Sequence, residues 1–120
     1  MEDGAVIETM IGQLEQLLLS AARGRRVVTY AEVAGALGLA PPHTIHQAAL
    51  LIEQMMRLHA AAGAPQLASL VVSKARGGLP APGFFALLDE LGLYHGPTDG
   101  AEARAFHAAE IARCFAAASV

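Results

Sequence analysis

The sequence is poor in cysteine, aromatic residues and charge, and these shortages narrow the class of protein. A single cysteine among 120 residues rules out an internal disulfide and cannot by itself build a thiolate zinc site. Aromatic residues make up 5% of the chain and tryptophan is missing, although 54% of the residues are hydrophobic. Charged residues reach only 16%, and this low share favours an apolar face that self-associates.

The length of 120 residues fits one domain and leaves no room for larger architectures. A TIM barrel or a complete Rossmann fold needs roughly 200 residues or more. Apolar runs such as residues 48–52 are far shorter than the roughly 18 residues of a membrane-spanning helix. The start Met1-Glu2-Asp3-Gly4 is acidic, unlike the basic start of a signal peptide. We therefore expect a cytoplasmic protein with no membrane partner.

The formal charge of −3 argues against a general nucleic-acid coat protein, which would be basic overall. The basic residues are nevertheless clustered. Five of the eight fall in two short stretches, and these are Arg23, Arg25, Arg26, Lys74 and Arg76. A fold that brings the two stretches together would create a local basic patch on an acidic protein. The alternative, that they are solvated charges in turns, stays open.

Apolar spacing of three and four residues predicts five helices. Thr29 and Glu32 form a capping-box pattern before the second helix, and Asp99 and Glu102 repeat it before the last. The helices are expected over residues 6–22, 30–37, from 43 or 44 to about 62, 84–91, and from 100 to about 117. The expected inward residues of the third helix are Ile45, Ala49, Ile52, Met56 and Leu58 or Ala60. Those of the last helix are Ala105, Phe106, Ala109, Ile111, Ala112 and Phe115.

Residues 67–73 are predicted to form a strand centred on Leu70, Val71 and Val72, after a short extended piece at 26–28. A loop rich in glycine and proline follows over 74–83. A capped short helix, a turn, a second helix, a strand and a loop are the order of a winged helix-turn-helix. We expect one mainly α domain over 1–120 with a small β element. Its winged-helix-like core would span 24–83, with an added N-terminal helix at 1–23 and C-terminal helices at 84–120.

The stretch from Arg25 to Ala34 reads Arg-Arg-Val-Val-Thr-Tyr-Ala-Glu-Val-Ala. It resembles the start of the DNA-binding domain of O6-alkylguanine-DNA alkyltransferases, which carries a Val-Thr-Thr-Tyr-Gly-like segment before an Ile-Ala pair. The resemblance covers roughly residues 24–83. It implies a winged-helix scaffold in which Tyr30, matching the motif tyrosine, lies close to DNA.

The sequence departs from that family where the repair chemistry resides. The family places its acceptor cysteine in a Pro-Cys-His-Arg-Val motif, and here the matching stretch at 67–72 reads Leu-Ala-Ser-Leu-Val-Val. Without a thiolate at this position, no alkyl group can be accepted. The arginine that the family inserts into the duplex would fall near Thr44, and residues 43–56 contain no Arg or Lys. The resemblance therefore implies the scaffold without the reaction.

No other residue set forms a catalytic constellation. His43 and His46 share a helix face and could ligate a metal, but a third ligand at suitable spacing is missing. Cys114 lies on an alanine-rich helix and is expected to be a buried structural residue. We therefore predict no catalytic residue, no metal site, no cofactor and no enzymatic activity.

Two functions remain. The first is a non-enzymatic DNA-binding or regulatory protein whose third helix and following loop dock on double-stranded DNA. The second is a degenerate winged-helix module for protein interaction or dimerisation that does not bind DNA, and a homodimer is expected. The residues predicted to contact DNA are Arg25, Arg26, Tyr30, Thr44, His46, Gln47, Lys74 and Arg76.

Overall fold

The computed structural model describes residues 2–119 and is mainly helical, with 69% of residues in helices and a small two-stranded sheet. This confirms the mainly α class with a small β element. The predicted domain of 1–120 includes Met1 and Val120, which lie outside the described residues. The elements are α1 (Glu2–Arg23), β1 (Val28–Thr29), α2 (Tyr30–Ala36), α3 (Thr44–Ala61), β2 (Val71–Val72), α4 (Pro82–Glu90) and α5 (Gly100–Ala118), with 3-10 turns at Leu67–Leu70 and Lys74–Arg76.

The start of α2 is fixed by local chemistry. The Thr29 hydroxyl accepts a hydrogen bond from the Glu32 amide at 3.1 Å, and the Glu32 carboxylate accepts one from the Thr29 amide at 2.9 Å. This reciprocal pair is the predicted capping box, and it satisfies backbone donors that the first helical turn leaves without partners. Because Thr29 also ends β1, the box fixes the direction in which α2 leaves the sheet.

The sheet is smaller than predicted and its two strands are parallel. Val28 pairs with Val71, and Thr29 pairs with Val72. The predicted strand at 67–73 is wrong over its first half, where Leu67–Leu70 is a 3-10 turn. All four side chains of that turn are buried. An edge strand would alternate between a buried and an exposed face, whereas a 3-10 turn lets all four side chains pack inward.

The core is built around the 3-10 turn at Leu67–Leu70, against which α1, α3 and α5 pack. Its largest fully buried side chains include Phe85, Leu14, Leu18, Met55, Met56, Leu70 and Leu88. The predicted inward face of α3 is correct at Ile52 and Met56, and Ala49 is half-buried. It is wrong at Ile45, which is 48% exposed, and of the alternatives Leu58 and Ala60 the structure favours Ala60, which is half-buried while Leu58 is 58% exposed. The buried stripe instead includes His59, whose Nε2 lies 2.7 Å from Glu15 Oε2 of α1.

The predicted inward face of α5 is wrong at its three alanines, and its three large apolar residues are only partly buried against the core. The buried residues are Ala103, His107, Glu110 and Cys114, whereas Phe106, Ile111 and Phe115 are half-buried and Ala105, Ala109 and Ala112 are exposed. The physical reason is the neighbour against which α5 packs. His107 Nε2 donates to the Ser69 carbonyl at 2.7 Å, and the Glu110 carboxylate accepts from the Gln66 amide at 2.7 Å. These backbone groups need polar partners when buried, so the polar face of α5 turns inward.

The second predicted capping box is also wrong. Asp99 occupies the N-cap position of α5, but among residues 2–119 its side chain makes no capping hydrogen bond. The Glu102 carboxylate and the Tyr94 hydroxyl instead both lie beside Gly96. A Cβ atom added at residue 96 would overlap both of them. Its charge contributes to raising the pKa of Tyr94, after the larger effect of burial.

Candidate nucleic-acid interface

An open groove of about 770 Å³ lies between the first turn of α2, the first turns of α3 and the segment after β2. We call it the α3 groove. It is lined by Thr29, Tyr30, Ala31, His43, Ile45, His46, Ala49, Val72, Ser73, Lys74 and Ala81. Three of the residues predicted to contact DNA are in this set, and they come from three separate parts of the chain.

Tyr30 lies at the start of α2 and ties two walls of the groove together. Its hydroxyl accepts a hydrogen bond from the Ala81 amide at 3.0 Å, which fixes the segment before α4 to α2. The side chain is largely buried, and this burial raises the pKa of Tyr30 above its ordinary value. Tyr30 is therefore a neutral phenol whose ring lines the groove.

The first turn of α3 forms the second wall. His43 is the N-cap residue and has a left-handed backbone, with φ of 59°. Histidine is one of the side chains that tolerates this conformation better than bulky or β-branched residues do. Within residues 2–119 no side chain caps α3, and its first turn contains no acidic residue. The first backbone N–H groups of α3 therefore lack a side-chain acceptor.

Thr44 and Gln47 lie at the same helix end but not among the groove-lining residues. The Gln47 amide Nε2 donates to the Ala40 carbonyl at 2.9 Å and to the Pro42 carbonyl at 2.7 Å. This side chain holds the connector between α2 and α3 against the helix. Thr44 is half-buried. The two residues thus support the groove wall, while His43, Ile45 and His46 line it.

Lys74 provides the positive charge of the groove. Its side chain is exposed at the rim, and in the described part of the chain it forms no ion pair. The pKa of Glu32 is lowered mainly by the hydrogen bonds from Thr29, with smaller contributions from the charges of Lys74 and Arg26. Those two cations therefore lie on the same side of the molecule, although they are 48 positions apart in the sequence.

Arg76 is half-buried and its guanidinium is bonded to backbone carbonyls of the loop and of a neighbouring segment. Its Nε donates to the Pro80 carbonyl at 2.9 Å, and its Nη2 donates to the Thr98 carbonyl. Arg104 of α5 adds a hydrogen bond from Nη1 to the Gly77 carbonyl at 3.2 Å. The loop after β2 is therefore attached to the segment before α5 and to α5 itself.

The arginines that follow α1 are also engaged within the protein. The Arg25 guanidinium lies 5.8 Å from the centre of the Phe115 ring on α5, in the range of a cation–π contact. Arg26 Nη2 donates to the Ser20 carbonyl at 3.4 Å. The structure thus brings Tyr30, His46 and Lys74 to one groove and leaves Arg25 against another helix.

Sequence reasoning missed the apolar lining of the α3 groove. Ile45, Ala49, Val72 and Ala81 all line it. Ile45 and Ala49 were expected in the core because they follow the helical spacing of the buried residues. The sequence signal that distinguishes Ile45 is its position in the first turn of α3, shortly after two prolines. At a helix end fewer neighbouring elements are available to cover a side chain.

The buried thiol lies elsewhere in the molecule. Cys114 Sγ donates to the Gln66 carbonyl at 3.3 Å and lies 3.6 Å from the Ser69 hydroxyl. Cys114 is 1% exposed, which confirms the predicted buried cysteine. Burial raises the pKa of Cys114, so the sulfur is held as a thiol and is a poor nucleophile.

The described residues 2–119 contain no group of three His, Cys, Asp or Glu side chains that could hold a metal ion. None of the helices among them is both long and apolar enough to cross a membrane. Comparisons with protein-family models, curated proteins and solved structures find no match. The α3 groove is therefore the feature of the molecule that bears on its function.

Proposed function

We propose that this chain is a non-enzymatic DNA-binding or regulatory protein that presents the α3 groove to duplex DNA. The winged helix-turn-helix interpretation and the alkyltransferase-like scaffold are parts of this proposal. The observation that supports it is the meeting of Tyr30, His46 and Lys74 around one groove at the start of α3.

The uncapped start of α3 suits a phosphate group. The helix is 18 residues long, and its first N–H groups carry partial positive charge. Lys74 adds a full charge to the same groove. Contacts of this kind position a protein on the DNA backbone, and His46 is the side chain placed to reach a base edge.

Glu53, in the middle of α3, lies toward α4. Gly83 lies in the first turn of α4, and a Cβ atom added to it would lie 3.4 Å from Glu53 Oε2. A carboxylate is stabilised at the start of a helix, where the backbone N–H groups point toward it. Glu53 is not one of the groove-lining residues, although its charge contributes, after the larger effect of burial, to raising the pKa of Tyr30.

The proposal predicts weak binding with modest salt dependence, because few cations are available. Lys74 and Arg26 are the phosphate contacts of this proposal, because Arg26 is exposed and uses only Nη2 on the Ser20 carbonyl. The slope of log K against log salt is then about −2 for two neutralised phosphates. Arg76 contributes indirectly by holding the loop that carries Lys74.

The proposal is tested by fluorescence anisotropy of a labelled mixed-sequence duplex. Measurements at roughly 50 and 200 mM salt cover the range in which phosphate contacts make the affinity depend on salt. Lys74→Gln is expected to weaken binding and reduce the slope by about 0.9. Arg57→Gln is the matched control, because it removes the same charge about 20 Å along α3 from Thr44. Arg57 pairs with Glu90 in an exposed ion pair, so its loss should cost little stability.

Lack of binding by the parent protein at low salt, even at high micromolar concentration, rejects the proposal. Equal salt slopes for the parent and Lys74→Gln would show that binding occurs at another surface. Circular dichroism of each variant establishes that the helices are retained.

The second candidate function is a protein-interaction or dimerisation module. It is favoured by large apolar side chains on the helix surfaces, since Leu50 and Leu58 of α3 are 47% and 58% exposed and Val6 of α1 is 54% exposed. Sedimentation velocity at tens of micromolar protein tests it. A dimer that Leu58→Glu dissociates would support this function, and a monomer over the whole range would contradict it.

A further inference from the structure

We infer that the α3 groove is a binding site for a small aromatic carboxylate of one or two fused rings. The inference goes beyond the proposed function, because it concerns a free small molecule and does not require DNA. It rests on the volume, the apolar lining and the charge of the groove.

The volume of the groove suits a small molecule. At about 770 Å³ it lies inside the range of roughly 300–1,000 Å³ that is typical of ligand sites. Such sites are lined mainly by apolar side chains and carry a few polar groups that orient the ligand. Ile45, Ala49, Val72 and Ala81 provide the apolar lining here.

Ile45 is the clearest mark of an apolar ligand. Six large apolar residues are exposed among the described residues, and Ile45 is the one of them that lines this groove. The residue is 48% exposed in the first turn of α3, and unlike the exposed Leu50 and Leu58 of the same helix it faces the groove. A bound apolar ring would remove this surface from water, which contributes favourable free energy in proportion to the area covered.

Rings and charge define the ligand further. Tyr30, His43 and His46 place three planar side chains around the groove, and planar groups stack favourably on such rings. Among the described lining residues Lys74 is the one with a formal charge. The nearby Glu32 carboxylate is committed to the Thr29 amide at 2.9 Å. A planar ring with one negative group therefore matches both features.

A DNA backbone alone does not account for this site. Phosphates would use Lys74 and the start of α3 but would leave the apolar lining in contact with water. An aromatic carboxylate uses both. Because Lys74 and His46 would then be covered, the ligand is expected to compete with DNA at this surface.

The experiment is a titration of the ¹⁵N-labelled protein, without DNA, with 2-naphthoate and separately with its uncharged analogue 2-naphthamide, followed by two-dimensional NMR. Saturable shifts are expected at the amides of Tyr30, Ile45, His46 and Lys74. Lys74→Gln should weaken naphthoate by up to roughly fivefold, the upper range for an exposed ion pair, and leave naphthamide unchanged.

Two further variants separate the apolar contact from general effects. Ile45→Ser should weaken both ligands, because both rings cover this side chain. Leu58→Ser is the matched control, since it removes an exposed apolar side chain of the same helix outside the groove and should affect neither.

The inference is overturned if naphthoate gives no saturable shifts at millimolar concentration, or if the shifts lie away from the groove. Equal binding of naphthamide by the parent protein overturns the assignment of an anion. These outcomes are independent of the DNA assay. Binding of naphthoate without binding of DNA would reject the proposed function and support the ligand site.

Discussion

Replacing Tyr30 by phenylalanine separates the two roles that the structure gives this residue. The ring lines the α3 groove, and the hydroxyl accepts the Ala81 amide at 3.0 Å. Phenylalanine keeps the ring and removes only the oxygen. The backbone N–H of Ala81 would then lose its partner in a half-buried position just before α4.

The expected cost follows from the loss of that partner. A fully buried donor without an acceptor costs about 1–3 kcal/mol, and partial access of water at Ala81 brings the estimate to about 1–2 kcal/mol. The unfolding entropy is about 2.1 cal/mol/K per residue, so in a chain of this length each kcal/mol of lost stability lowers the melting temperature by about 4 °C. Tyr30→Phe is therefore expected to melt about 4–8 °C below the parent.

The assay is urea unfolding followed by circular dichroism, together with a thermal melt. Tyr94→Phe is the control, because the Tyr94 hydroxyl donates to the Pro97 carbonyl at 2.8 Å and Pro97 is exposed. Water can replace that donor, so the control should lose less than about 1 kcal/mol.

Equal stability of Tyr30→Phe and the parent would refute the reasoning. It would mean that Ala81 gains no net stabilisation from the hydroxyl and that another contact holds this segment. A loss in Tyr94→Phe as large as that in Tyr30→Phe would show that the assay detects the general loss of a tyrosine hydroxyl.

Further predictions follow from other contacts. Arg76→Met should destabilise the protein by about 1–2 kcal/mol and speed hydrogen exchange at Gly78, whereas unchanged exchange would mean that the loop does not depend on Arg76. Burial lowers the pKa of His107, so the unfolded state takes up a proton at this residue at a higher pH than the folded state does. The free energy of unfolding should therefore be independent of His107 above about pH 6.5 and fall as the pH drops below that value, by at most about 1.4 kcal/mol per pH unit. His107→Gln should remove that part of the acid dependence in urea unfolding, and an unchanged pH profile would contradict it. Cys114 should react with a thiol reagent at least about a hundredfold more slowly in the native protein than in urea, because reaction needs local opening; similar rates would contradict its burial.

Features set by neighbouring residues could be predicted from the sequence. The capping box joins Thr29 and Glu32, which are three positions apart, so the spacing alone identifies it. The existence of five helices follows from apolar spacing for the same reason. The buried cysteine was predictable because a lone cysteine on an alanine-rich helix is usually structural.

Features set by distant partners could not be predicted in this way. The orientation of α5 depends on backbone groups of Gln66 and Ser69, which lie 44 and 38 positions before their partners Glu110 and His107. The local spacing of alanine, isoleucine and phenylalanine predicts a rotated face, whose alanines are exposed in the structure. Similarly, residues 67–70 have the composition of a strand, but their packing against α1, α3 and α5 buries every side chain.

The candidate site shows the same division. Tyr30, His46 and Lys74 are predicted from the sequence as DNA contacts, and the fold brings all three to one groove. Arg76 and Gln47 have equally suitable chemistry, yet their side chains donate to carbonyls at Pro80, Thr98, Ala40 and Pro42. A basic or amide side chain in a loop is therefore a DNA contact only if the fold leaves its donors facing outward.

The most direct test of the account is NMR shift mapping of the ¹⁵N-labelled protein with an unlabelled mixed-sequence duplex at low salt. We expect perturbed amides at Tyr30, His46 and Lys74 and unchanged amides at Val6 and Phe115. Perturbations clustered on α1 and α5, or none at saturating duplex, would contradict the assignment of the α3 groove as the DNA-binding face.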